Sequence, residues 1–130
     1  LGDNFLEGSG DSTRTNETRV PASQIGASAK ASLFQAVARQ LRPHWRPVDG
    51  ADREKLVSKI RFRLNPDGTL AGAPSLVGQR GETEANRAQA PRHAENAIRA
   101  VQLAAPFDLP PEYYEAWKTV TVDFDWNLSR

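Results

Sequence analysis

The 130-residue chain has no cysteine and no methionine, two histidines, and almost no net charge, since seventeen Lys and Arg stand against sixteen Asp and Glu. Each shortage removes a class of chemistry. Without cysteine there is no disulfide framework and no Cys-ligated zinc, and with His44 and His93 alone a multi-histidine metal site within one chain is excluded. A formal charge of +1 leaves no strong electrostatic footprint for nucleic acid or an anionic membrane, and the arginines are scattered. No window holds the roughly 18 consecutive apolar residues of a membrane span. Leu1 is not an initiator methionine, so the chain reads as a fragment whose anchor or signal lies upstream. The length suits one domain with a tail, and a core of about a hundred residues buries roughly 60 to 70% of its extended-chain surface without staples.

What the chain does have is a clear strand-turn-strand pattern from Leu56 to Val77. Leu56, Ser58, Ile60, Phe62 and Leu64 alternate with Val57, Lys59, Arg61 and Arg63, giving one mainly apolar and one basic face. Asn65-Pro66-Asp67-Gly68 follows as a turn: proline fixes φ at the second position and glycine is free to take the left-handed conformation. The return strand is expected over Thr69 to Val77, with loop from Gly78 to Thr83. A hairpin alone is marginal, so the Ile60/Phe62 face requires a cover and a third strand.

The flanking segments supply both. Ile25, Ala29, Leu33, Val37 and Leu41 recur every four positions, predicting an amphipathic helix from about Ala22 to Leu41, with Ser23 as N-cap and Pro43 as its stop. Trp45, between Pro43 and Pro47, reads as a plug at the junction of helix and sheet. The Ala-rich stretch after Thr83 predicts a short turn near Glu84 to Ala90 and a helix from Pro91 to Ala104, with Ala94, Ala97, Ile98, Val101 and Ala105 inward and a Glu95–Arg99 pair outward. Pro106 to Pro111 forms a stiff crossing, and Glu112 to Trp117 one or two helical turns with Tyr113, Tyr114 and Trp117 on one side. Val120, Val122, Phe124, Trp126 and Leu128 then alternate with Thr121, Asp123, Asp125 and Asn127 in a last strand whose acidic side complements Lys59, Arg61 and Arg63 if the two strands pair. The order helix, strand, strand, helix, strand predicts an α+β fold, a three-stranded antiparallel sheet packed on helices. Residues 1–21 read as a flexible linker or tail and 22–130 as the domain. Within the tail, Asn4-Phe5-Leu6-Glu7 is an apolar exception able to dock on the domain or a neighbour, or to lie along an open sheet edge.

Residues fit for catalysis are few. His93 and Glu95 stand about 200° apart around a helix and read as surface residues. Asp123 and Asp125 share a strand face about 7 Å apart, which is normally a solvated side. No phosphate-cradling glycine loop or nucleophile elbow is present, and no cofactor, metal or catalytic residue is expected. An interaction surface remains. A three-stranded sheet has two edges open to strand addition. Gly72 and Pro74 weaken the return strand, whereas the last strand lacks proline from Thr119 to Leu128. If the first strand is central, the partner-binding edge is Thr119, Val120, Thr121, Val122, Asp123, Phe124, Asp125 and Trp126.

From Ile25 to Leu128 the chain resembles the C-terminal periplasmic domain family of TolA, of the alphaproteobacterial type, within the wider TonB/TolA C-terminal superfamily. The resemblance rests on the order of Trp45-x-Pro47, the Asn65-Pro66-Asp67-Gly68 hairpin, Gly81, the helix running into Pro106-Phe107-Asp108-Leu109-Pro110, and the final strand. Where the family has Ser-Gly and then Phe-Asp, this chain has Arg80-Gly81 and Ala85-Asn86, and the cysteine pair of enterobacterial members is absent. The resemblance implies a non-enzymatic adaptor of the Tol-Pal cell envelope system, anchored upstream in the inner membrane with TolQ and TolR. It also implies binding of TolB and of Pal in the periplasm, support of outer-membrane integrity and constriction at cell division, and use of the domain by phage coat protein and colicins. No nucleic acid and no membrane contact by this fragment are expected. The competing readings are a TonB-type energy transducer for outer-membrane receptors, and a small-ligand-binding domain using Trp45, Tyr113, Tyr114 and Trp117 as a pocket.

Overall fold

The structure is a computed structural model and describes residues 19–130; the Asn4-Phe5-Leu6-Glu7 expectation lies outside them. Three helices, α1 (Ala27–Leu41), α2 (Ala90–Ala104) and α3 (Tyr114–Trp117), accompany three strands, β1 (Val57–Arg63), β2 (Ser75–Arg80) and β3 (Thr119–Phe124). The strands form one antiparallel sheet in the order β2-β1-β3. The α+β fold is as expected, and β1 is the central strand.

Alternation along β1 sets the layers. Ser58, Ile60, Phe62 and the following Leu64 are buried, while Lys59, Arg61 and Arg63 are exposed. Val122 and Phe124 of β3 lie on the same buried side, opposite Ile60 and Ser58 in register. Against this face pack Leu33, Val37 and Leu41 of α1 and Ala97, Ala100 and Val101 of α2, together with Trp45, Phe107 and Trp117. Each fully buried Leu, Ile or Phe stabilises the fold by about 1.5 to 3 kcal/mol relative to exposure, so this row, with its third strand and helical cover, holds a hairpin that would be marginal alone. Trp45 is the expected plug: its ring meets His93 and Phe124 edge-on, with centroids 5.0 and 5.1 Å away, and its Nε1–H donates to the Asp125 carbonyl at 2.9 Å.

Several boundaries differ from expectation. Ala22–Gln24 is a separate 3-10 turn, Ile25 is extended and buried, and α1 starts after Gly26; Ser23 caps nothing. At the other end Arg42 keeps α-region dihedrals before Pro43, because the chain tightens into a 3-10 turn, Arg42–His44, rather than leaving the helix extended. The return strand is displaced towards the C-terminus. After the turn only Leu64 and Leu70 bridge, Gly72 bends the chain at φ +117°, and the ladder resumes at Ser75 and runs to Arg80 through the expected loop. Gly72 and Pro74 therefore precede β2 instead of interrupting it. A bulge takes its place as the irregularity of that edge, since Lys59 pairs with Gly78 and Ile60 with Leu76, leaving Val77 as the extra residue.

Two loops are fixed from outside. The hairpin turn is closed by Gly68 N–H to Asn65 C=O and Asn65 N–H to Thr69 C=O, both 2.8 Å. Its tip is docked, because Phe107 N–H donates to the Gly68 carbonyl at 2.8 Å and the Phe107 ring stacks on Phe62 at 5.5 Å. Gly68 sits at φ +86°, and any Cβ there would collide with the Phe107 carbonyl. At the opposite end buried Asn86 donates to the carbonyls of Asp52 and Gly81, both at 3.0 Å, and accepts from Thr83 N–H at 2.7 Å. It joins the segment before β1 to the one after β2.

The β3 edge as candidate functional site

The outward groups of β3 follow from the ladder. Leu64 N–H donates to the Lys118 carbonyl at 2.9 Å, continuing by one step the register in which Arg63 faces Thr119. On the other side Ala71 N–H donates to the Arg63 carbonyl at 2.8 Å. In an antiparallel pair, alternate residues turn their peptide groups toward the partner strand. The peptide groups of Val120, Val122 and Phe124 therefore face β1, and those of Thr119, Thr121 and Asp123 face away from the sheet. Among the described residues, no backbone outside the ladder takes up these three N–H and C=O sets.

The strand ends at Phe124, so Asp125 and Trp126 are not part of the edge. Asp125 Oδ1 accepts Leu128 N–H at 2.9 Å and starts the closing 3-10 turn Asn127–Ser129, which takes the chain out of the extended conformation. Trp126 receives the Arg53 guanidinium on its ring at 4.6 Å. Asp123 and Asp125 thus do different structural jobs and do not form a carboxylate pair.

On the helix side of the edge lies an open groove of about 210 Å³ between α1 and β3, walled by Leu33, Phe34, Val37, Trp117 and Val120 with Lys30 at its rim. Phe34 is 50% exposed, because the apolar stripe of α1 is wider than the sheet that covers it. On the solvent face, Arg61 Nε reaches across to Thr121 Oγ1 at 3.4 Å. The expected complement between Asp123 and the basic face of β1 forms with a different cation: Asp123 lies opposite Lys59 in register, yet its Oδ2 meets Arg80 Nη2 of β2 at 3.3 Å. At the start of β3, Lys118 Nζ bonds Glu115 at 2.6 Å, and that hydrogen bond holds the Glu115 carboxyl below its ordinary range. Among the described residues, Lys59, Arg61 and Arg63 have no carboxylate within ion-pair distance.

His93 is the residue sequence reasoning misplaced. It is fully buried, because α2 turns His93, Ala97 and Ala100 toward the sheet, a face rotated from the expected one. Its Nδ1 lies 2.7 Å from Ser58 Oγ, which also accepts Gln79 Nε2–H at 3.0 Å, while Nε2 has no partner among the described residues. Burial lowers the imidazole pKa below the ordinary 6.5, and the Asp125 charge opposes this in part. Ser58 and His93 have the composition of a nucleophile and base, but both are at 0% exposure, and their contact fastens α2 to β1. A signal was present: Ser58 is the one polar residue on the apolar side of β1 and His93 the one on the inner face of α2. Glu95 points away and pairs with Arg92 at 3.6 Å, not with Arg99.

The aromatics weighed as a pocket do not share one. Trp45 and Trp117 are core, Tyr114 packs edge-on against Trp117 at 4.8 Å and donates to the Leu64 carbonyl at 2.7 Å, and Tyr113 borders a different groove beside Pro110. Among the described residues there is no cluster of three or more potential metal ligands, and no helix is long and apolar enough to cross a membrane. In comparisons with known proteins the chain matches no protein-family model and no curated protein.

Proposed function

We propose that this chain is a non-enzymatic adaptor of the TolA C-terminal kind, working in the periplasm of a Gram-negative cell, and that its β3 edge accepts an extended segment of TolB by strand addition. The observation that carries the reading is the outward row of peptide groups at Thr119, Thr121 and Asp123, on a strand free of proline and, among the described residues, paired on one side only. Each added main-chain bond contributes about 0.5 to 1.5 kcal/mol, so the row supports a reversible contact whose selectivity comes from neighbouring side chains. The other edge is the poorer template, since the bulge at Val77 breaks the spacing of its outward groups. The sequence resemblance adds the remaining parts of the proposal: TolQ and TolR as upstream companions, Pal as a further periplasmic partner, and phage coat protein and colicins as users of the same surface.

The experiment is a titration of the isotope-labelled chain with the N-terminal peptide of TolB, followed residue by residue. The largest amide shifts are expected at Thr119, Thr121 and Asp123. Shifts confined to α1 and α2 would reject the site. Binding of a receptor TonB-box peptide in place of the TolB peptide would move the assignment to a TonB-type transducer.

A further inference from the structure

We infer that the segment accepted by β3 is an alternating one, with apolar side chains on one side and an Asp or Glu on the other, placed over Thr121. The inference rests on the strand-addition reading and specifies its partner. Side chains of an added strand would alternate between the two faces of the sheet, about 4.8 Å beyond β3. Those on the helix side fall into the groove between α1 and β3, where Leu33, Phe34, Val37 and Val120 offer apolar walls and Phe34 is half exposed. Its volume of about 210 Å³ exceeds the roughly 150 Å³ of an apolar cavity that takes up benzene, so aliphatic side chains have room there.

The solvent side asks for the opposite chemistry. Arg61 faces Thr121 across the ladder, and its Nε contact with Thr121 Oγ1 carries the guanidinium over β3 toward the open edge. Both terminal nitrogens of that guanidinium are without a partner among the described residues, and a planar fork of donors fits a carboxylate. The acid on this face of β3, Asp123, is already paired with Arg80, and among the described residues no acid borders the groove, whose lining includes Lys30. A carboxylate arriving above Thr121 therefore meets unneutralised positive charge, and a lysine there meets repulsion. This difference in sign is what separates partners that an exposed backbone row alone would treat alike.

Two synthetic peptides long enough to pair with all of β3 test this. They share the same aliphatic residues on one side and carry Asp in one and Lys in the other at the facing positions. Titrated into the labelled chain, the Asp peptide is expected to shift the amides of Thr119, Thr121 and Asp123 and to bind about tenfold more tightly, the scale of a cross-strand attraction exchanged for a repulsion. Arg61→Glu, at an exposed site, is expected to keep the thermal midpoint and reverse the preference. Phe34→Ser is expected to weaken both peptides to the same degree. Equal affinities with shifts at these amides would overturn the charge rule and leave strand addition standing. Unchanged affinity in Phe34→Ser would overturn the groove. Absence of shifts at β3 with the Asp peptide would overturn strand addition itself.

Discussion

His93 illustrates how one buried side chain ties pH to stability. The groups around it are Ser58 on β1, which is held in turn by Gln79 of β2, Trp45 ahead of the sheet, and the Asp125 charge beyond β3. Burial depresses its folded-state pKa below the ordinary 6.5, so above that pH the imidazole is neutral folded and unfolded and costs nothing. As pH falls below it the unfolded chain binds the proton first, and stability declines until the folded-state pKa is passed. Thermal midpoints are expected to be flat above pH 6.5 and to drop below it, with His93→Gln losing most of the slope that sets in below pH 6.5. An unchanged slope in that variant would assign the effect to other groups. The pair with Ser58 was half legible: the polar interruption of the β1 pattern was visible, but which face of an Ala-rich helix turns inward is poorly marked when small residues occur all round it.

At the scale of elements, the edge strand can be tested by its own parity. Proline removes an N–H, and in β3 alternate residues differ in what that N–H does. Thr121 directs its N–H outward, so Thr121→Pro is expected to fold with a midpoint close to the parent and to lose strand addition, as proline is tolerated on open edges. Val122→Pro removes a bond to β1 and is expected to destabilise the domain. A peptide titration and a urea melt on each variant separate the two roles, and similar losses of stability in both would contradict the parity. The alternation that gave β1 and β3 was fully legible because each has one buried and one solvated face. β2 was not, since its outward Ser75, Leu76 and Val77 and its Gly78-Gln79-Arg80 end carry no such contrast, all but Gly78 being exposed. The C-terminal limit of β3 failed for a different reason: Trp126 and Leu128 keep the two-residue spacing while Asp125 starts a turn, and a spacing cannot register a capping side chain.

At the scale of the whole molecule, the described residues cover one face of the sheet with helices and leave the other without a covering element, with β1 paired on both sides and buried against both long helices. Amide exchange is therefore expected to be slowest at Ile60 and Phe62, and fastest within the sheet at the outward N–H groups of β3, as edge groups open without disturbing the core. Comparable protection of Thr121 and Ile60 in the free chain would mean that something already covers the edge. The near-zero net charge concealed this asymmetry, because an overall sum carries no information on which face the cations of β1 occupy. The order of elements was readable from end to end; the groove beside Phe34 was not, because it depends on how far α1 projects past a strand that lies about eighty residues later in the chain.

The docking of Gly68 onto Phe107 has a practical side for anyone modifying the protein. Hairpin tips are favoured places to graft an epitope, a label or a tether, but this one has no free volume and its carbonyl is engaged by the crossing segment. A graft there would lift Phe107 away from Phe62 and with it the approach to α3 and β3. The exposed side chain of Glu84, at the far end of the sheet from that turn, is the better attachment point for a label, since it leaves the hairpin and the Thr83–Asn86 turn seated and keeps the cargo away from the edge where a partner would arrive.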